Sequence, residues 1–217
     1  MSAEGTSGAG AVLGIDTATD EPGVALVPAS RTSVRAIGWR AAFLETAPAA
    51  EALLREAGIG WSDLGALAVP AGPGSFTGLR VGATLALGLA RGRGIALCAI
   101  PTLEAVAEAW ADAARVCAVL DARRGRWYAA LCERDGAGWR VLEGPADLAP
   151  EAVPAFARGA PVVGPGAAAL AGTAPAARGP APVAAALAAL AARDPARHRL
   201  AAPEELRLRY ARSGVDP

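Results

Sequence analysis

Two aspartates and one glycine-rich turn are the residues whose types and spacing suit chemistry. The turn is Gly72-Pro73-Gly74-Ser75-Phe76-Thr77-Gly78-Leu79-Arg80-Val81-Gly82, which follows a short apolar run, Ala66 to Val69. It leads into Leu79 to Ala90, whose apolar residues have helical spacing. Gly72, Gly74 and Gly78 permit tight turns or the close approach of a ligand or another element, and the hydroxyls of Ser75 and Thr77 suit a helix cap. The amides at such a helix start suit a phosphate or carboxylate, and a purely structural turn fits the same residues. The spacing is not that of a P-loop, and the chain contains no lysine to complete one. Nor do the residues around Ser75, Gly74-Ser75-Phe76-Thr77-Gly78, have the glycine spacing of a nucleophile elbow.

Asp16 and Asp121 each end an apolar strand candidate, Ala11 to Ile15 and Val116 to Leu120. Carboxylates there, with Thr17 beside the first, are candidates for positioning a metal-bound phosphate or water in a cleft, and equally for forming turns. Arg123, Arg124 and Arg126 make a basic hairpin that suits phosphate, RNA or acidic groups of a protein partner, or simply solvent. A zinc or iron site needs clustered imidazole, thiolate or carboxylate ligands, and no metal site is expected. The one histidine, His198, lies in an Arg-rich stretch and is expected at the surface with no link to Ser75, so no catalytic residue is assigned. Cys98, Cys117 and Cys132 form no C-x-x-C pair, and buried free thiols are expected.

The elements that must position these groups follow from the apolar pattern. Val24 to Val27 pairs back on the first strand after the turn Asp20-Glu21-Pro22-Gly23, and Ser33 to Trp39 extends the meander. A helix runs from about Thr46, as its N-cap, to Ala57, where Gly58 stops it, with Pro48 in the first turn. Trp61 to Asp63 bridges to the Ala66 strand, Ile95 to Cys98 is a further strand, and Leu103 to Trp110 a short helix. Arg126 to Glu133 and Trp139 to Leu142 follow the second Asp, and Glu143 to Pro154 reads as loop with a helical turn. Pro161 to Val163 is a short strand, and Gly164-Pro165-Gly166 opens an alanine-rich helix ending near Gly172. Thr173 to Pro182 is loose, Val183 to Ala192 is helical, and Pro203 to Tyr210 is a strand or a packing arm with frayed residues beyond it. The echo of Ile15-Asp16 in Leu120-Asp121 suggests a duplicated architecture, with an N-terminal lobe over 1–105 and a C-terminal lobe over 106–217 whose last helix or tail packs back on the first.

Composition narrows the function classes. Of 217 residues 53% are hydrophobic, enough for a sizeable core, and the net charge of +0 gives no general attraction to nucleic acid or membrane. The first ten residues lack the basic and apolar regions of a signal peptide, and no apolar run reaches membrane-spanning length. A cytoplasmic location is the expectation. With no lysine, Schiff-base and lysine general-base chemistry drop out.

Taken together, Leu13-Gly14-Ile15-Asp16-Thr17-Ala18-Thr19, the Gly72 to Gly82 motif, Pro101-Thr102-Leu103 and Asp121-Ala122-Arg123-Arg124-Gly125 with Trp127-Tyr128 resemble the TsaB (YeaZ) family. The resemblance covers roughly the first 130 residues. It implies an α/β fold of the actin-like or Hsp70-like ATPase type, two lobes with mixed sheets flanked by helices. It also implies a non-catalytic subunit that partners TsaD in N6-threonylcarbamoylation of adenosine 37 in tRNAs. TsaE joins the complex, tRNA is reached through it, and metal is carried by TsaD. By the same resemblance the first lobe's helices, here Thr46 to Ala57 and Leu79 to Ala90, contact TsaD or a second copy of the chain. Contact candidates are Leu53, Leu54, Arg80 and Leu85, with Arg123 and Arg124 for a partner or tRNA. Asp16, Thr17, Gly72, Gly74, Ser75, Thr77, Gly78 and Asp121 are the nucleotide or cleft candidates, with ATP or ADP a candidate ligand of the complex and no cofactor required by this chain alone. Phe43-Leu44-Glu45-Thr46 departs from the family's more polar residues there. An ATP-dependent small-molecule phosphotransferase of the same fold and a metal-independent peptidase using Ser75 are the alternatives.

Overall fold

The computed structural model describes residues 10–27, 32–38, 40–111, 113–136, 138–170 and 182–210. Strand β1 (Ala11–Asp16) lies at the centre of the first sheet. On one side it pairs antiparallel with β2 (Gly23–Val27), which pairs antiparallel with β3 (Ser33–Ala36); on the other it runs parallel to β4 (Leu64–Pro70), which runs parallel to β5 (Ala96–Ile100). The second sheet repeats the plan. Strand β6 (Arg115–Arg123) pairs antiparallel with β7 (Arg126–Asp135), β7 with β8 (Gly138–Leu148), and the two-residue β9 (Val162–Val163) adds parallel to β6. Asp16 and Asp121 therefore sit near corresponding ends of the first strand of each sheet.

Strand periodicity of two sorts the first sheet's side chains by size. Leu13, Ile15, Leu67, Val69 and Leu97 fill the core on one face beneath α1 (Ala42–Ala57) and α2 (Phe76–Arg93). The opposite face carries small residues, Gly14, Ala66 and Ala68, and there α3 (Thr102–Trp110) and the alanine-rich α5 (Val183–Arg193) pack between the two sheets. A Cβ on Gly14 would stand 2.0 Å from the Ala184 carbonyl oxygen, so the absence of a side chain sets how closely α5 lies on β1. Beyond the second sheet, Cys117, Val119, Leu131 and Val162 pack against α4 (Val153–Ala157). The order of layers is α1/α2, first sheet, α3/α5, second sheet, α4.

The middle layer is clasped by polar groups at its edge. Glu108 of α3 accepts hydrogen bonds from Trp139 Nε1 at 2.9 Å and Arg193 at 2.7 Å, which joins α3 to β8 and α5. Burial opposes ionisation of Glu108, but these bonds and the charges of Arg193 and Arg134 outweigh it and lower its pKa. All three cysteines are buried and free, and burial pushes the thiols of Cys117 and Cys132 up to about 12. They are core residues in chemistry as well as in position.

Several local expectations are corrected. Helix α1 begins at Ala42 rather than Thr46, and Thr46 lies inside it, its hydroxyl donating to the Ala42 carbonyl at 2.5 Å. Pro48 is tolerated in the second turn because it sits on the exposed side, where the carbonyl it leaves unpaired can meet water. Strand β8 continues to Leu148 where a loop was expected. Gly144, at φ 101°, lets the strand bulge against the Ala129 carbonyl and resume pairing at Ala146. After Gly166 there is a single 3-10 turn, Ala167–Ala169, and not a longer helix, because Leu170 turns into the core beneath α4. The segment Pro203 to Tyr210 is an arm with a 3-10 turn at Pro203–Glu205; Leu200 N–H donates to Leu97 O, and Arg209 N–H donates to Ala71 O. Trp39, residues 173–181 and everything after Tyr210 lie outside the described residues.

The glycines of α2 give a matched test. A Cβ on Gly78 would stand 1.8 Å from the Thr17 carbonyl oxygen, whereas one on Gly88 meets nothing within 4 Å. Gly78→Ala is expected to destabilise the protein by about 3 kcal/mol or more through forced separation of α2 from the β1–β2 turn. Gly88→Ala is expected to stabilise it by about 0.5–1 kcal/mol, since alanine is the better helix former. Urea unfolding of the two variants measures both.

Candidate functional site

The cleft between the lobes is built from three turns. The β1–β2 turn contributes Thr19 and Asp20, the start of α2 contributes Ser75 to Thr77, and the β6–β7 hairpin contributes Asp121 and Arg123 around a cavity of about 320 Å³. Ser75 caps α2, its Oγ accepting from Gly78 N–H at 3.2 Å, and its own N–H donates to Ala18 O at 2.8 Å. Thr77 is inside the helix and lines the cleft without capping it. The glycines act through contact. Gly74 and Gly78 let the helix start against Ala18 and Thr17, and Gly72, at φ 101°, lets the chain pass beneath Arg209.

Asp16 does not reach the cavity. It is fully buried, with Oδ1 accepting from Ala18 N–H at 2.8 Å and Thr19 N–H at 3.3 Å, and Oδ2 accepting from the Thr19 hydroxyl. Thr17 is likewise turned inward and donates to Gly78 O at 2.6 Å. Burial raises the Asp16 pKa from 3.8 to about 6 against these hydrogen bonds. On the opposite hairpin, Asp121 accepts from Arg123 N–H at 2.6 Å and pairs with its guanidinium at 3.3 Å, while Arg123 also forms an ion pair with Asp20 across the cleft mouth. Arg124 is exposed at the tip, in the left-handed region at φ 56°. The groups that would hold a metal-bound phosphate are thus paired with one another, and the cleft as it stands does not fit that ligand.

A second feature lies on the outer face of α1 and α2. Phe43 is 79% and Leu44 74% exposed, and Phe43, Phe76, Val81 and Leu85 line a groove of about 630 Å³ between the helices. Arg80 lies over the Phe76 ring at 3.9 Å, and its Nε donates to the Tyr210 hydroxyl at 3.2 Å, so the arm's last described residue borders the groove. A polar hollow lined by Arg40, Thr19, Ser75 and Arg123 shares Phe43, Thr77 and Val81 with the groove and continues it into the cleft.

Of the partner-contact candidates, Arg80 and Leu85 border this groove, but Leu53 and Leu54 do not. They are 2% and 3% exposed because the helical stripe that carries them packs on the first sheet. Phe43 and Leu44, on the face away from that stripe, take the position. His198 is also corrected: it was expected at the surface, but its side chain is only 9% exposed and stands 3.4 Å from Glu104. His198 lines neither of the two hollows described above that Ser75 borders.

Sheets of order β3-β2-β1-β4-β5 and β8-β7-β6-β9, with paired hairpins facing a central cleft, define a two-lobe protein of the actin-like ATPase fold. A model of the family described as TsaD, tRNA N6-adenosine threonylcarbamoyltransferase, matches residues 42–184. The chain belongs to this family. It is 38% identical over 147 residues to the tRNA threonylcarbamoyladenosine biosynthesis protein TsaB of Escherichia coli (strain K12), covering 65% of this chain and 64% of that protein. It is 37% identical over 111 residues to a tRNA N6-adenosine threonylcarbamoyltransferase of Erythrobacter litoralis, covering 43% of this chain and 32% of that protein. Among solved structures, YeaZ from Pseudomonas aeruginosa superposes with a TM-score of 0.75 at 26% identity over 93% of this chain and 99% of that one. The matched regions span between 51% and 64% of the length of the TsaB relatives from Escherichia coli and Haemophilus influenzae. No helix among the described residues is long and apolar enough to cross a membrane.

The buried aspartate makes a pH test. Because its folded pKa of about 6 lies above 3.8, the folded state holds the extra proton. That stabilising contribution is complete below 3.8 and is lost as pH rises through about 6, a change of about 3 kcal/mol. Asp16→Asn is expected to flatten this part of the stability curve relative to the parent, measured by urea unfolding across the same range.

Proposed function

We propose that the chain is a TsaB-type partner subunit that acts with a TsaD enzyme, and with TsaE, in threonylcarbamoylation of tRNA adenosine, and that it contributes no catalytic residue. The observation that carries the reading is the exposed apolar groove of α1 and α2, bordered by Phe43, Phe76 and Leu85, in a chain whose curated relatives include TsaB proteins. Large exposed apolar side chains at one groove, rimmed by Arg40 and Arg80, fit a docking surface for another protein. The N-terminal lobe presents this face and the C-terminal lobe braces it through the arm that brings Tyr210 to Arg80.

An assisting role is also supported by what the hydroxyl and imidazole do. Ser75 Oγ accepts the helix-capping bond, and His198 packs against Glu104. Neither is placed to activate the other. The same groove serves a second copy of this chain when TsaD is absent, and tRNA and nucleotide are met through the assembled complex.

Size-exclusion chromatography with light scattering, on the chain alone and mixed with TsaD of its own organism, tests the reading. A mixed species is expected, and Phe43→Asp is expected to weaken it by about 2 kcal/mol or more while leaving the circular dichroism spectrum unchanged. Absence of a mixed species with ATP and TsaE present would remove the partner role. Threonylcarbamoyl transfer by the chain alone would remove the non-catalytic one.

A further inference from the structure

The seam between the lobes holds a second cavity, separate from the cleft, of about 240 Å³. Pro73, Leu103, Val141 and Pro145 form apolar walls, and the charged residues bordering it are Glu104, from the first turn of α3, and Arg209, from the arm. Glu104 is 7% exposed, and its Oε2 accepts no hydrogen bond among the described residues. His198 Nε2 stands 3.4 Å from it and is also without a hydrogen bond among the described residues. A buried carboxylate with an unused oxygen is costly, and folded proteins retain one where a water or a ligand completes it.

Arg209 is exposed at the cavity mouth and is held there by the backbone. Its N–H donates to Ala71 O at 2.7 Å, and its carbonyl runs so close to Gly72 that a Cβ at that position would stand 2.2 Å from it. The cavity therefore has a negative floor, a positive rim and apolar sides. We propose that it binds a small zwitterion, a free α-amino acid with a short uncharged side chain, its ammonium on Glu104 and its carboxylate toward Arg209. A metal ion is a poorer occupant, because no group of three or more His, Cys, Asp or Glu side chains stands together among the described residues.

The charged surroundings give the site a proton signature. Burial pushes the Glu104 pKa up to about 7, opposed by Arg197 of α6 (Pro195–His198) and by Arg209. His198 is held below its usual value by burial and by Arg197, opposed by Asp194. Cys132, on β7, is a thiol pushed to about 12 and carries no charge. Binding of an ammonium favours ionised Glu104, so uptake near neutral pH releases a proton, and the release shrinks as pH rises above 7.

Isothermal titration of the full chain with L-alanine and L-serine, in buffers of different ionisation enthalpy, tests the site without TsaD, so its outcome is independent of the partner role. Saturable binding with proton release is expected. N-acetyl-L-alanine, which lacks the ammonium, and alaninamide, which lacks the carboxylate, are each expected to bind about tenfold more weakly or not at all. Glu104→Gln, which keeps the shape and removes a buried charge, is expected to fold normally by thermal melting and to lose both binding and proton release. Arg209→Ala is expected to make L-alanine and alaninamide bind alike. No saturable binding by either amino acid, undiminished binding by Glu104→Gln, or alaninamide matching L-alanine on the parent chain would each overturn the proposal.

Discussion

The contact on which the remaining structure depends is the close approach of α2 to the β1–β2 turn. Thr17 and Ala18 present carbonyl oxygens to a helix whose facing positions are glycine, and the Ser75 amide and Thr17 hydroxyl close the junction with hydrogen bonds. With α2 held at that depth, Leu79, Ala83 and Ala86 must go into the core and Phe76, Arg80 and Leu85 must stay toward solvent. The same turn is pinned from within by Asp16, so a residue with the look of a ligand-binding acid is a structural one. The glycines likewise serve packing between elements, and the phosphate-binding look of the motif follows from the shape that packing requires.

Much of the fold is legible in the chain because its strands are short apolar runs with clear ends. Ile15-Asp16 and Leu120-Asp121 locate the two corresponding strands, and Gly58 and Ser75 mark where a helix stops and another starts. What misleads is Pro48. Reading it as a helix-start residue moves the beginning of α1 by a turn, which hides that Phe43 and Leu44 extend the helix on its outward face and makes the buried Leu53 and Leu54 look available to a partner. The stripe Ala42, Thr46, Ala49, Ala50 and Leu53 already carried the right phase once the first turn is included. His198 is a different kind of miss. Its burial arises from Glu104, more than ninety positions earlier in the chain, and no local pattern of polar neighbours reports a contact of that separation.

The two faces of the first sheet differ in side-chain size. The first sheet offers large residues to α1 and α2, which gives that layer a thick core, and offers Gly14, Ala66 and Ala68 to the middle layer, where α5 fits close. Ion pairs join elements at the margins, among them Glu108 with Arg193 at one edge of the middle layer and Arg123 with Asp20 at the cleft mouth. The latter is exposed to solvent, and pairs of that kind contribute at most about 1 kcal/mol. Closure of the cleft therefore rests on the shared apolar core between the sheets.

The arm from Arg199 to Tyr210 joins regions far apart along the chain: it bridges to Cys98, pairs Glu204 with Arg91, and brings Tyr210 to Arg80 across 130 positions. Contacts of such long loop closure form after local ones. During synthesis the first lobe's strands and helices can emerge and pair long before the arm exists, yet Phe76 and Arg80 meet Tyr210 only once the arm has been made. The face of α2 that carries Phe76 and Arg80 is therefore completed later in synthesis than the sheet on which that helix stands.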